Sequence, residues 1–176
     1  MESRAKLLGH PIHSMLIVFP LGLLGMAVIF DMLALALGQG YWAEIALWMM
    51  VAGVVTGFVA APFGLVDWLA IPRRTRAKRI GALHGIGNVM VLVLFAVSAW
   101  LRLGAPQTPV ALSAFLPLSM FLQTSAGLAV ILSSVGFLLM LVTGWLGGEL
   151  VDRLGVGVDD DAHIDAPSSL RTRRAA

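Results

Sequence analysis

The length of its apolar blocks constrains this chain more than any other feature. Four runs, at about residues 11–37, 43–71, 81–101 and 126–150, carry almost no charge. A helix of about 20 apolar residues crosses the roughly 30 Å hydrocarbon core of a bilayer. Inside lipid the backbone must satisfy its own polar groups, so runs of this length read as spanning helices. Composition agrees: 59% of residues are hydrophobic and only 12% charged, with a mean hydropathy of +0.90, outside the range of ordinary soluble domains.

The first run has features of a secretory signal. Arg4 and Lys6 make a basic start, and Ala34-Leu35-Ala36 resembles a cleavage site. The run is far longer than a signal core, however, and it contains Pro20 and Asp31. It reads as a retained span.

Pro11 suits a first helical turn, where its missing N–H has no intrahelical partner. Gly38-Gln39-Gly40 ends the first span, and Tyr41-Trp42 supplies an aromatic boundary. Pro62 beside Gly64 predicts a kink in the second span, which Trp68 closes. A dense basic run follows, Arg73 to Arg79, then the third span, which ends at Trp100 and Arg102. Residues 110–122 are too short and too proline-interrupted to cross, and they predict a short periplasmic interfacial helix or a re-entrant one. The expected fold class is therefore all-α integral membrane. It is a bundle of four transmembrane helices forming one domain over residues 1–158, with a disordered cytoplasmic tail over 159–176.

Basic residues orient the bundle. With the N-terminus inside, Arg4, Lys6, the loop from Arg73 to Arg79, Arg153, Arg171, Arg173 and Arg174 all lie inside, and Arg102 alone lies outside. The positive-inside rule then predicts a bacterial inner-membrane protein with both termini cytoplasmic. The pI of about 9.7 comes from these inside segments, so a nucleic-acid partner is not expected. Gly53 with Gly57, and Gly81 with Gly85, form small-xxx-small pairs that let helices approach closely. No internal repeat of period or motif is evident, and four spans are too few for an inverted-repeat transporter.

Topology gathers polar residues at the cytoplasmic end. His10 and His13 start span one, Asp67 ends span two, His84 and Asn88 start span three, and Glu149 and Asp152 end span four. Ionisable groups at membrane depth are costly and commonly functional. The chain has no cysteine, which removes disulfides, iron–sulfur clusters and thiolate zinc.

Three readings of the cluster stay open. In the first, His13 (or His10) faces His84 across the bundle and the two ligate a b-type haem, with Asn88 nearby and Arg76 or Arg79 pairing with the propionates. In the second, His10, His13 and His84 with Asp67 or Glu149 hold a divalent transition metal such as zinc or iron, making this a metal-handling membrane protein. In the third, the histidines only satisfy hydrogen bonds in a structural or accessory subunit. The basic loop has its own bland explanation in anionic lipid. His163 among Asp159, Asp160, Asp161 and Asp165 reads as a solvated tail, and nothing resembles a hydrolytic site.

Several blocks together resemble a known family. They are Gly9-His10-Pro11-Ile12-His13, Phe19-Pro20-Leu21-Gly22, Asp31, Gly64 with Asp67, His84 with Asn88, and Gly147-Gly148-Glu149-Leu150-Val151 with Gly155-Val156-Gly157-Val158. Over about residues 8–158 the chain resembles the bacterial family labelled domain of unknown function 2231. Ser14 stands where that family commonly has a second proline, and Asp152 where an aromatic is common. Relatives are sometimes joined to Rieske or cytochrome c modules, so the resemblance implies redox company. It favours the haem reading, with electron transfer to a quinone or a redox-protein partner. Homo-oligomerisation stays open.

Overall fold

Apolar blocks become helices here, and proline, glycine and hydroxyl caps set their ends. In the computed structural model, which describes residues 1–103, 117–121 and 124–170, the chain starts as a small hairpin. Lys6–Leu7 pairs antiparallel with His10–Pro11. Leu8 and Gly9 turn it at φ +51° and +85°, the positive pair that a tight two-residue turn demands.

Helix α1 (Ile12–Leu16) follows and breaks at Ile17 before α2 (Val18–Leu37). The break has a local cause: Pro20 has no N–H for the Leu16 carbonyl, and its ring crowds that same carbonyl. Gly38 ends α2 at φ +64°, the left-handed cap glycine supplies. Helix α3 (Gly40–Ala70) contains Pro62. It stops at Ile71 with ψ 131°, because the residue before Pro72 is pushed out of helical space.

Helix α4 (Arg76–Leu103) starts under the Thr75 hydroxyl, which accepts from Lys78 N at 3.1 Å. A short α5 (Leu118–Phe121) precedes α6 (Ser125–Gly148), capped by Thr124 Oγ1 accepting from Gly127 N at 2.9 Å. The last helix runs on into a π-helical turn, Glu149–Arg153.

Among the described residues four helical stretches are long and apolar enough to span a membrane: Ile12–Leu37, Gly40–Ala70, Arg76–Leu103 and Ser125–Arg153. The all-α membrane bundle expected from the sequence is the observed architecture. The third helix begins at Arg76, before the apolar run, because the Thr75 cap rather than hydropathy sets its start. Most of the segment expected as an interfacial helix lies outside the described residues, as do Arg171, Arg173 and Arg174.

The first span packs on the second and the third on the fourth, giving two antiparallel hairpins. Their shared core holds Leu24, Ala27, Leu47, Met50, Val91, Phe95 and Met140. Of the expected small-residue pairs, Gly53 and Gly57 do bring helices together: a Cβ there would lie 2.6 Å from Leu24 and 2.5 Å from Leu92. Gly81 meets Trp68, but Gly85 has nothing within 4 Å.

The two hairpins repeat one another, contrary to the expectation of no internal repeat. Buried residues of α3 are Ala43, Ala46, Leu47, Met50, Gly53, Gly57 and Ala60. Each has a buried counterpart in α6 at one interval (126 − 43 and 143 − 60 are both 83): Ala126, Ala129, Val130, Ser133, Gly136, Met140 and Thr143. Between the first and third spans the interval is 71 (95 − 24 and 102 − 31). It matches buried Leu24, Ala27 and Asp31 to buried Phe95, Ser98 and Arg102. His13 and His84 share the same interval. Ala43/Ala126, Ala46/Ala129, Gly53/Gly136 and His13/His84 are identical and the other pairs differ, so the repeat shows more in burial than in letters.

Candidate functional site

His13 lies in α1 and His84 near the start of α4, and the two meet at the bundle end that carries the N-terminus. Their ring centroids are 6.4 Å apart, with planes at 85°. His13 Nδ1 stands 3.1 Å from the carbonyl of Ala60, and His84 Nδ1 stands 2.9 Å from that of Thr143. A carbonyl can only accept, so each Nδ1 carries a proton and donates it. The neutral ring then keeps its lone pair on Nε2. At His84 that lone pair accepts from Asn88 Nδ2 at 3.1 Å. The repeat puts Ile17 at the matching position beside His13 (88 − 17 is again 71).

Glycines make these contacts possible. A helical side chain covers the turn before its own Cα, so the residue four places on would shield the accepting carbonyl. That residue is Gly64 after Ala60 and Gly147 after Thr143. A Cβ on Gly64 would sit 2.8 Å from His13 Cε1, and one on Gly147 3.1 Å from His84 Cε1. Each imidazole therefore lies in a glycine notch on the neighbouring helix.

The remaining residues expected at this site are held elsewhere. His10 falls in the terminal hairpin, exposed, 3.4 Å from Ser169 Oγ. Asp67 accepts Ser3 Oγ at 2.8 Å on both oxygens, Arg4 N at 2.7 Å and Ala5 N at 3.3 Å, which pins the N-terminal segment to the end of α3. Glu149 pairs with Arg76, and Arg79 is exposed. The expected four-donor set of His10, His13, His84 and Asp67 or Glu149 is thus not assembled. Among the described residues no group of three or more His, Cys, Asp or Glu is arranged to hold a metal ion. The reason lies in their partners: His10 belongs to the terminal hairpin, Asp67 is taken up by the N-terminal segment and Glu149 by Arg76.

Outside the spans, Lys6 contacts Glu2 at 2.6 Å and Asp159 at 3.5 Å. The hydrogen bond it donates to Glu2, then the charges of Glu2 and Asp159, hold its ammonium above the ordinary lysine range against a smaller opposing effect of burial. The tail, described through Leu170, lies as a run of turns beside this segment.

A second polar level lies at the far end of the bundle. Asp31 is 0% and Arg102 2% exposed. The guanidinium grips the carboxylate through both terminal nitrogens, Nη2 to Oδ2 at 2.8 Å and Nη1 to Oδ1. Ser133 Oγ donates to Oδ2 at 3.1 Å. The sequence puts Asp31 late in span one and Arg102 at the end of span three without pairing them, although opposite charges at one depth on alternate spans are the available signal. Asp31 is 18 residues beyond His13 (31 − 13), about 27 Å of helix, close to the roughly 30 Å hydrocarbon thickness of a bilayer.

No curated protein and no solved structure matches this chain. One family model does, described as "Predicted membrane protein (DUF2231)" and covering residues 9–160. That match takes in all four spans and both polar levels, and the chain belongs to this family of membrane proteins.

Proposed function

We propose that this protein carries a b-type haem between its two hairpins, ligated by His13 and His84, and transfers electrons to a quinone or a redox-protein partner. One observation supports the reading above the others. Both imidazoles commit Nδ1–H to a main-chain carbonyl, as metal-ligating histidines commonly do. The two rings also come within 6.4 Å of one another, centroid to centroid, at one end of the bundle. When bound, the haem supplies one-electron chemistry. The chain supplies orientation and ligand basicity through the Ala60 and Thr143 carbonyls, and close ring approach through Gly64 and Gly147. Asn88 holds the His84 lone pair and has to turn aside for ligation.

The reading includes a bacterial inner-membrane location with both termini cytoplasmic. Arg102, the single basic residue assigned to the outer side, is buried against Asp31, which sharpens the charge asymmetry the positive-inside rule uses.

The test is an optical spectrum of the detergent-purified protein. A Soret band that sharpens on dithionite reduction and is lost in His13→Ala and in His84→Ala supports the proposal. A colourless, folded protein overturns it. If that protein carries stoichiometric zinc or iron, it handles metal instead. A metal-free protein leaves an accessory subunit whose histidines pin together the two helices of each hairpin, a reading favoured by the Nδ1 bonds to Ala60 and Thr143 and by the Asn88 bond to His84.

A further inference from the structure

We infer that the buried Asp31–Arg102 pair is an identity lock, which makes each hairpin dock on its unlike partner and keeps it from the like hairpin of a second copy of this chain. The inference starts from which positions meet. In a two-fold arrangement a position on the axis contacts its own equivalent. His13 meets His84 and Asp31 meets Arg102, both at the interval of 71 residues. A pseudo-two-fold axis therefore runs between the hairpins, along the bundle, through both polar levels.

Most of the docking face is interchangeable across that axis. The histidines are identical, and the equivalents Ala27 and Ser98 are both small and fully buried. A first hairpin could accept another first hairpin on these grounds alone, and exchange of equivalent elements between chains is a low-cost route to dimers. The ion pair breaks the equivalence. Like-with-like docking brings Asp31 against Asp31, or Arg102 against Arg102, at a depth where a charge without its counter-ion is heavily penalised. Fixing one register among near-equivalent ones is the best attested use of a buried polar pair.

The axis also identifies a residue that an ordinary ion-pair account does not. Ser133 supports Asp31, and its equivalent in the other hairpin is Met50 (133 − 50 is 83), fully buried beside Ser98. Exchanging the two charges moves the carboxylate into the image seat, where Met50 stands in place of serine. Met50→Ser then completes the exchanged seat.

The test uses the full chain, which has no cysteine of its own. Ala27→Cys places one thiol one turn inside the lock, 0% exposed, where a second copy cannot reach it in the native fold. Oxidation should give almost no cross-linked dimer. In the Asp31→Leu/Arg102→Met background, like hairpins can pair, residue 27 meets residue 27, and the dimer should rise about tenfold or more. The charge-exchanged Asp31→Arg/Arg102→Asp chain should return dimer to the low level, and adding Met50→Ser should raise its thermal midpoint. No rise in dimer for a folded neutral background overturns the inference. So does a Met50→Ser change that lowers the midpoint of the exchanged chain, a measurement that stands even if the neutral background does not fold.

Discussion

Adding one methyl group at Gly64 tests whether the histidine notches are as tight as their geometry requires. A Cβ there would lie 2.8 Å from His13 Cε1 and 2.9 Å from Nδ1, closer than packed atoms allow. The ring has to retreat, and retreat lengthens its 3.1 Å bond to Ala60. Overpacking costs about 1–3 kcal/mol, and loss of a neutral hydrogen bond about 0.5–1.5 kcal/mol. Alanine returns about 0.8–1.0 kcal/mol through helix propensity. The net loss is about 2 kcal/mol, a midpoint about 4–8 °C lower for a chain of this size. At Gly147 the nearest ring atom would be 3.1 Å away, and at Gly144 nothing lies within 4 Å. Gly147→Ala should therefore fall near wild type, and Gly144→Ala at or slightly above it. Thermal unfolding in detergent, followed by the fluorescence of the five tryptophans, ranks the three. A Gly64→Ala protein as stable as Gly144→Ala refutes the notch.

Asp31→Ala should lower stability by about 3–5 kcal/mol, because it strips a buried guanidinium of its carboxylate; equilibrium unfolding measures it. Asp67→Asn replaces a carboxylate that gathers Ser3, Arg4 and Ala5. It should release the N-terminal segment without moving the global midpoint, seen as faster tryptic cleavage at Arg4 and Lys6. Arg76→Ala removes a partner of Glu149 that is 55% exposed, so the change should stay within about 1 kcal/mol in the same unfolding assay.

Span number and helix identity were legible because length and hydropathy decide them with little competition. The break at Ile17 and the early start of α4 were harder, since each depends on one local contact: Pro20 against the Leu16 carbonyl, and Thr75 over Lys78 N. Depth was legible too, and it brings His13 and His84 to one level. The local partners were not: His10 lies in the terminal hairpin beside Ser169, Asp67 holds the N-terminal segment and Glu149 holds Arg76. The repeat escaped because Leu24 answers Phe95 and Met50 answers Ser133: burial is shared while chemistry differs.

The pairing of a repeated apolar frame with unequal polar residues has a physical logic. Lipid is as apolar as leucine, so two hairpins in a membrane gain nothing by hiding hydrocarbon from it; close packing and polar contacts must hold them together. Within each hairpin glycines permit tight packing, as at Gly53 on Leu24 and Gly136 on Phe95. Between hairpins the packing is thinner, and both polar levels lie at that seam. The Asp31–Arg102 level is held closed by contacts among carboxylate, guanidinium and serine. The imidazole level is open by comparison, because Asn88 engages the outer nitrogen of His84 while Ile17, at the matching position, offers His13 no polar group. An unequal pair of otherwise equivalent rings, on the weakest seam of the bundle, is where a bridging group would add most to cohesion. Any ligand of the two imidazoles should therefore raise the thermal midpoint of the whole chain, and Asn88→Ala should strengthen its binding rather than weaken it.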